Sequence, residues 1–98
     1  RRDNGIYGEV INVDHFGNLV TNVPAAMLVE TQAVSTNICG QVINGLSGTF
    51  NDGGPSSQWG LIALVGSSGF LEIALPGGNA AAILGADVGE PVGVTLVF

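Results

Sequence analysis

The sequence predicts an all-β fold, and three observations predict it. Val, Ile and Leu dominate the apolar residues, which make up 46% of the chain, and branched aliphatics fit a pleated surface. Glycine is abundant, with 16 residues in 98, and suits tight turns. Short apolar runs separated by closely spaced turn signals are the pattern of an antiparallel barrel or sandwich. Helix-forming charge is scarce: there is no Lys, and Arg1 and Arg2 are the only permanent cations.

The elements follow in order. Gly5 to Val13 alternates as a strand, with Tyr7, Glu9, Ile11 and Val13 on one face and Ile6, Gly8, Val10 and Asn12 on the other. Asp14 to Asn18 is a turn in which Gly17 supplies positive φ. Leu19 to Val23 resumes as a short strand. Pro24 to Val29 reads as a short helix, with Pro24 in its first turn and Asn22 as its cap. Gln32 to Cys39 and Gln41 to Leu46 read as two strands broken at Gly40, and Asn44-Gly45 is either a hairpin turn or a bulge. Asn51 to Ser57 is a loop. Trp59 to Val65 is almost continuously apolar, so both its faces are expected to be covered. Gly66-Ser67-Ser68-Gly69 turns into a strand from Phe70 to Leu75, which Pro76-Gly77-Gly78 ends. Asn79 to Leu84 reads as a helix of one to two turns, capped by Asn79 and stopped by Gly85. Gly89-Glu90-Pro91 is a turn, and Val92 to Phe98 is a last strand.

Length fits a single domain over residues 1–98. The net charge of −6 excludes phosphate-driven nucleic-acid binding, which needs a basic footprint, and argues against an anionic membrane surface. No apolar run is long enough to span a bilayer as a helix, and no signal peptide is evident. The single Cys39 excludes an intramolecular disulfide and suits a reducing, cytoplasmic setting. Charged residues make up only 10%, little for a monomer's surface. Coverage by a partner domain or sister subunits is therefore expected.

The segment Ile11-Asn12-Val13-Asp14-His15-Phe16-Gly17-Asn18-Leu19-Val20-Thr21-Asn22 concentrates a carboxylate, an imidazole, an aromatic face and an amide at a strand end, a good place for a ligand. Asp14 beside His15 invites a general-base reading, but neighbours on a strand point to opposite faces. The plainer reading has Asp14 capping a turn and His15 solvated. One His and one isolated Cys do not make a transition-metal site, and Asn51-Asp52 lacks the carboxylates of a calcium loop. Cys39 reads as a buried structural residue. The Gly66–Gly69 turn can hold a carboxylate or phosphate through amides and hydroxyls. Gly77 to Ala81 lets the backbone approach a flat ligand. Phe16, Phe50 and Trp59 can stack on a base; Trp59 is assigned to the core.

Three segments in sequence carry a family resemblance. They are Gly8-Glu9-Val10 with Val13 to Asn22; Val65 to Ala74; and Gly78-Asn79-Ala80-Ala81 with Leu84-Gly85 and Val88 to Val92. Together they resemble the C-terminal domain of the S-adenosyl-L-methionine (SAM) hydroxide adenosyltransferases, the adenosine-forming SAM hydrolases related to the fluorinase and chlorinase. The resemblance implies a small antiparallel Greek-key β-barrel, an α/β N-terminal domain that these residues do not include, and a trimer with SAM between the N-domain of one subunit and the C-domain of the next. It implies roles by position. Asp14 matches the contact to the methionine ammonium, and Ser67 and Ser68 match the turn that receives its carboxylate. Phe16, Asn18 and Phe50 match contacts to adenine, Ala80 a backbone contact to the base edge, and Asn79 orients that turn. SAM is substrate; no cofactor or metal is implied. The halogenases carry Arg where this chain has Ser68, so water is favoured over halide. Phe70 replaces a basic residue common in the hydrolases. The nucleophile-activating residues belong to the N-domain, so no catalytic residue is assigned here. The competing expectation is a stand-alone, non-catalytic barrel for nucleoside binding or assembly.

Overall fold

The alternation in the first strand sets the inside of the molecule. In the computed structural model, which describes residues 5–28, 33–46 and 59–97, β1 (Gly5–Val13) turns Ile6 and Val10 inward and leaves Tyr7, Glu9 and Ile11 exposed. A bulge between Val10 and Asn12 shifts the register against β2 (Leu19–Pro24). Strict alternation places Val13 with Tyr7 on the outer face; the extra residue reverses the phase, and Val13 packs against the core. Along β2, Leu19, Thr21 and Val23 point inward, and the register against β6 shifts between Val20 and Pro24.

The remaining elements are β3 (Ala33–Ile38), β4 (Gln41–Asn44), β5 (Ile62–Val65), β6 (Phe70–Ala74), α1 (Ala80–Leu84) and β7 (Pro91–Val97). All strand pairs are antiparallel, in the order β4-β3-β7-β1-β2-β6-β5. The end strands β4 and β5 come into contact, so the sheet nearly closes into the expected small all-β barrel. β7 lies between β3 and β1, and β6 beside β2; the chain crosses over as a Greek key does rather than running up and down. The interior is aliphatic, built from Val10, Leu19, Val23, Ile38, Ile43, Leu61, Leu71, Ile73, Val92 and Val94. Each such side chain contributes roughly 1.5–3 kcal/mol by leaving water. No helix among the described residues is long and apolar enough to cross a membrane.

Several local expectations are corrected. The helix after Pro24 is a single 3-10 turn, Ala25–Met27, without a side-chain cap. Asn22 is used elsewhere: its Oδ1 accepts the Glu9 N–H at 2.9 Å across the β1–β2 pair. The break expected at Gly40 is the β3–β4 turn, Cys39-Gly40: Ile38 pairs with Gln41 and both turn residues have positive φ, 51° and 78°. Cys39 is therefore exposed at a turn rather than buried in a strand. The strand expected from Trp59 begins only at Ile62, and Trp59 is 42% exposed. Within that segment only Leu61 and Ala63 are buried, so one face is covered, not both. The Asn51–Ser57 loop lies outside the described residues.

Two inward threonines differ in a testable way. Thr21 Oγ1 donates to the Leu71 carbonyl at 2.8 Å and accepts the Val23 N–H at 3.1 Å. Thr36 Oγ1 is fully buried and has no partner among the described residues. An orphaned buried hydroxyl is costly, whereas a paired one is costly to remove. In chemical denaturation, Thr36→Val should gain about 1 kcal/mol and Thr21→Val should lose about 1–2 kcal/mol. Equal losses from both would overturn this account of the interior.

Candidate functional site

The five-residue loop joining β1 to β2 is built by its own first residue. Asp14 N–H donates to the Asn18 carbonyl at 3.0 Å, and Gly17 N–H donates to the Asp14 carbonyl at 3.0 Å. The Asp14 carboxylate completes the knot. Oδ1 accepts the N–H groups of Phe16 (2.9 Å) and Asn18 (3.0 Å), and Oδ2 accepts the Asn18 side-chain amide at 3.0 Å. Partial burial raises the carboxyl's pKa, but the hydrogen bonds from Asn18, Phe16 and Gly17 outweigh it and hold it below the ordinary carboxylate range. Nothing in this geometry joins Asp14 to His15, so the general-base reading finds no dyad. His15 is exposed and meets Phe16 edge to face, with ring centroids 5.8 Å apart. Phe16 itself is 72% exposed.

The start of α1 lies directly against this loop. Asn79 caps the helix by accepting the Ala82 N–H at 2.9 Å, and Gly85 ends it with φ 65°, as the sequence indicated. Ala81 N–H, otherwise an orphan of the helix N-terminus, donates to the Gly17 carbonyl at 2.9 Å. Gly17 has φ 87°, and a Cβ there would run into the Asn79 side chain. Two segments expected to share a site therefore do meet. Asp14, Phe16 and Asn18 stand on one side of the rim, and Asn79, with the buried Ala80 beneath it, on the other. Among the described residues, the Asn18 amide oxygen has no hydrogen-bond partner, which leaves the amide able to pair with a ligand.

The third segment does not join them. Leu19 pairs with Ile73, and Pro24 with Phe70. The Gly66–Gly69 turn therefore sits at the far end of β6, where the Gly69 carbonyl accepts the Ala25 N–H at 2.8 Å. Four strand steps, about 13 Å, separate the two ends of β6. Ser67 is exposed. Ser68 Oγ accepts the Phe70 N–H at 3.3 Å and donates to Glu72 Oε2 at 3.2 Å. The Glu72 carboxylate lies against Gly66, where a Cβ would meet it. This turn does not share the rim of the other two loops, because the β2–β6 register fixes it at the opposite end. Phe50 lies outside the described residues.

Sequence reasoning gave no role to Glu72, although a carboxylate between the inward Leu71 and Ile73 marks an outward position beside the serine turn. It also treated Gly17 as a turn residue only and not as the point where α1 docks. Cys39 is a poor nucleophile: desolvation, and then the hydrogen bond and charge of Glu90, raise its pKa. Among the described residues, no group of three or more His, Cys, Asp and Glu side chains is placed to hold a metal ion.

The sequence pattern of the SAM hydroxide adenosyltransferase C-terminal domain matches residues 8–93. A crystal structure of an uncharacterized conserved protein from Thermotoga maritima superposes with a TM-score of 0.74 at 26% identity, covering 97% of this chain and 37% of that one. A conserved hypothetical protein from Thermus thermophilus superposes at 0.63 with 29% identity, covering 93% of this chain and 32% of that one. The chain thus spans about a third of the length of these two proteins. No curated protein matches it.

Two outcomes test the rim. Gly17→Ala should push Asn79 from its cap and strain the backbone, lowering stability by about 2 kcal/mol or more; a neutral result would remove the docking contact from the account. Asp14 titrates lower in the folded chain than unfolded. Its contribution is therefore full above about pH 3.9 and is lost as acid carries it through its lower native value. Asp14→Asn should flatten the acid limb of a stability–pH curve between about pH 5 and 2. An unchanged limb would show that the loop does not depend on the charge.

Proposed function

The chain belongs to the SAM hydroxide adenosyltransferase C-terminal domain family, and from that premise we propose that it forms the base-holding half of a SAM-cleaving site. The reaction is displacement at the ribose C5′ by water, giving adenosine and methionine. The rest of the site comes from the family's N-terminal domain, at an interface between subunits of a homotrimer.

One observation carries this reading: the Asp14–Asn18 loop, locked by its own carboxylate and docked on α1, presents an exposed phenyl face and an amide with a spare acceptor at one rim. A planar base with donors and acceptors on its edge suits that pair, stacking on Phe16 and pairing with Asn18. Asn79 and the Ala80 backbone close the other side. The amino-acid part of the substrate extends along the outer face of β2–β6 toward Ser67 and Ser68. Water is favoured as nucleophile because Ser68 stands where the halogenases carry Arg. This domain's contribution is orientation; the group that activates water is supplied from outside it. Exposed Tyr7 (76%) and Val88 (60%) and the low charge content support burial of its surface in the assembly.

The test is calorimetric titration of the full natural protein with adenosine. Phe16→Ala removes an exposed side chain whose one ring contact among the described residues is with His15, so thermal stability should hold while adenosine affinity falls at least about tenfold, equivalent to about 1.4 kcal/mol. Wild-type protein that ignores adenosine, or a Phe16→Ala variant that binds it equally well, would discard this reading in favour of a barrel used for assembly alone.

A further inference from the structure

We infer that Asp14 is a positioning residue that fixes which way the Asn18 amide faces, so that the rim accepts a 6-amino purine and rejects a 6-oxo purine. The inference rests on the base reading above and adds the origin of its selectivity. Three observations support it.

The first is the grip on Asn18. Asp14 bonds to both the backbone and the side chain of that residue. Its N–H donates to the Asn18 carbonyl at 3.0 Å, its Oδ1 accepts the Asn18 N–H at 3.0 Å, and its Oδ2 accepts from Asn18 Nδ2 at 3.0 Å. The half-buried amide is thus tied to the same residue that ties its backbone. Between them, the Gly17 carbonyl accepts the Ala81 N–H at 2.9 Å, which pins the loop against α1.

The second is the direction of the side-chain bond. The two ends of a primary amide are alike in shape and opposite in hydrogen bonding, whereas an ionised carboxylate only accepts. Burial raises the Asp14 pKa, but the hydrogen bonds from Asn18, Phe16 and Gly17 outweigh it and favour the ionised form. The carboxylate therefore pairs with the nitrogen end of the Asn18 amide and turns its oxygen away.

The third is what the amide has left. Among the described residues Asn18 Oδ1 has no donor, and Nδ2 keeps one N–H beyond the one given to Asp14. An acceptor beside a donor matches a base edge on which an amino group stands next to a ring nitrogen, as in adenine. In the same pose, an oxo group sets a second acceptor against Oδ1. Turning the amide over would relieve that clash, but it would bring the amide oxygen against the Asp14 carboxylate. The carboxylate makes the flip costly, and selectivity follows from that cost. Among the described residues, Asp14 Oδ1 accepts two bonds and Oδ2 one, which leaves a position on Oδ2 for a donor of the ligand itself.

Calorimetry on the full natural protein with three nucleosides tests this. They are adenosine, inosine with its 6-oxo group, and purine riboside with no group at that position. None carries an ammonium, so a direct contact of Asp14 with one does not enter the readout. The wild-type protein should bind adenosine at least about tenfold more tightly than inosine, with purine riboside between them. Asp14→Asn can offer either end of its amide to Asn18. Relative to purine riboside it should weaken adenosine and strengthen inosine, cutting their ratio at least about fivefold. Asp14→Ser, whose hydroxyl still accepts a backbone N–H of the turn, should do the same, so that either variant alone gives the answer. Adenosine and inosine bound equally by the wild-type protein would overturn the inference and leave the base reading standing. So would a variant that keeps the wild-type ratio, or one that weakens all three nucleosides by one factor, which would mark Asp14 as structural only. Wild-type protein that binds none of the three would overturn this inference and the base reading together.

Discussion

A single hydrogen bond at a glycine organises the functional end of this barrel. The Ala81 N–H reaches the Gly17 carbonyl only because Gly17 has no side chain between it and Asn79. That contact fixes a five-residue helix, too short to be stable by itself, against a loop that is already knotted by Asp14. Each part supplies what the other lacks. The loop gives the helix an acceptor for an orphan N–H, and the helix gives the loop a wall. Residues far apart in sequence therefore share a rim, and the exposed Phe16 and Asn18 acquire fixed positions without being buried.

Much of this was legible in the sequence because it is local chemistry. The β1–β2 turn, its positive-φ glycine, the Asn79 cap and the Gly85 stop each follow from what one residue type does to a backbone, and each is present. The errors arose where local rules compete. Asn22 has the chemistry of a helix cap, but a neighbouring strand offered the Glu9 N–H instead. Asn44-Gly45 also suits a hairpin, but the break at Gly40 is the one that the pairing of Thr36 with Ile43 uses. The bulge that turns Val13 inward leaves no mark in composition. Which loops share an end of the barrel was the least legible, since it depends on the β2–β6 register and not on any motif.

The electrostatics are one-sided. The rim holds a carboxylate committed to its own loop, and the opposite turn holds another that is not. The first is held by two backbone N–H groups and the Asn18 side-chain amide of its own loop, none of which depends on a ligand. The second accepts the Ser68 hydroxyl on the outer face of β6. Family membership describes the scaffold common to both ends; the placement of these two acids is what distinguishes their chemistry in this chain.

The contact between β4 and β5 has a further consequence. Among the described residues the two strands touch without sharing a ladder, which leaves a slit between them. Each bordering strand has four residues and is bonded on one side only, while β1, β2 and β7 are bonded on both. Amide exchange would begin at this slit and reach the central strands last, so transient loosening of the molecule starts at its least-bonded edge.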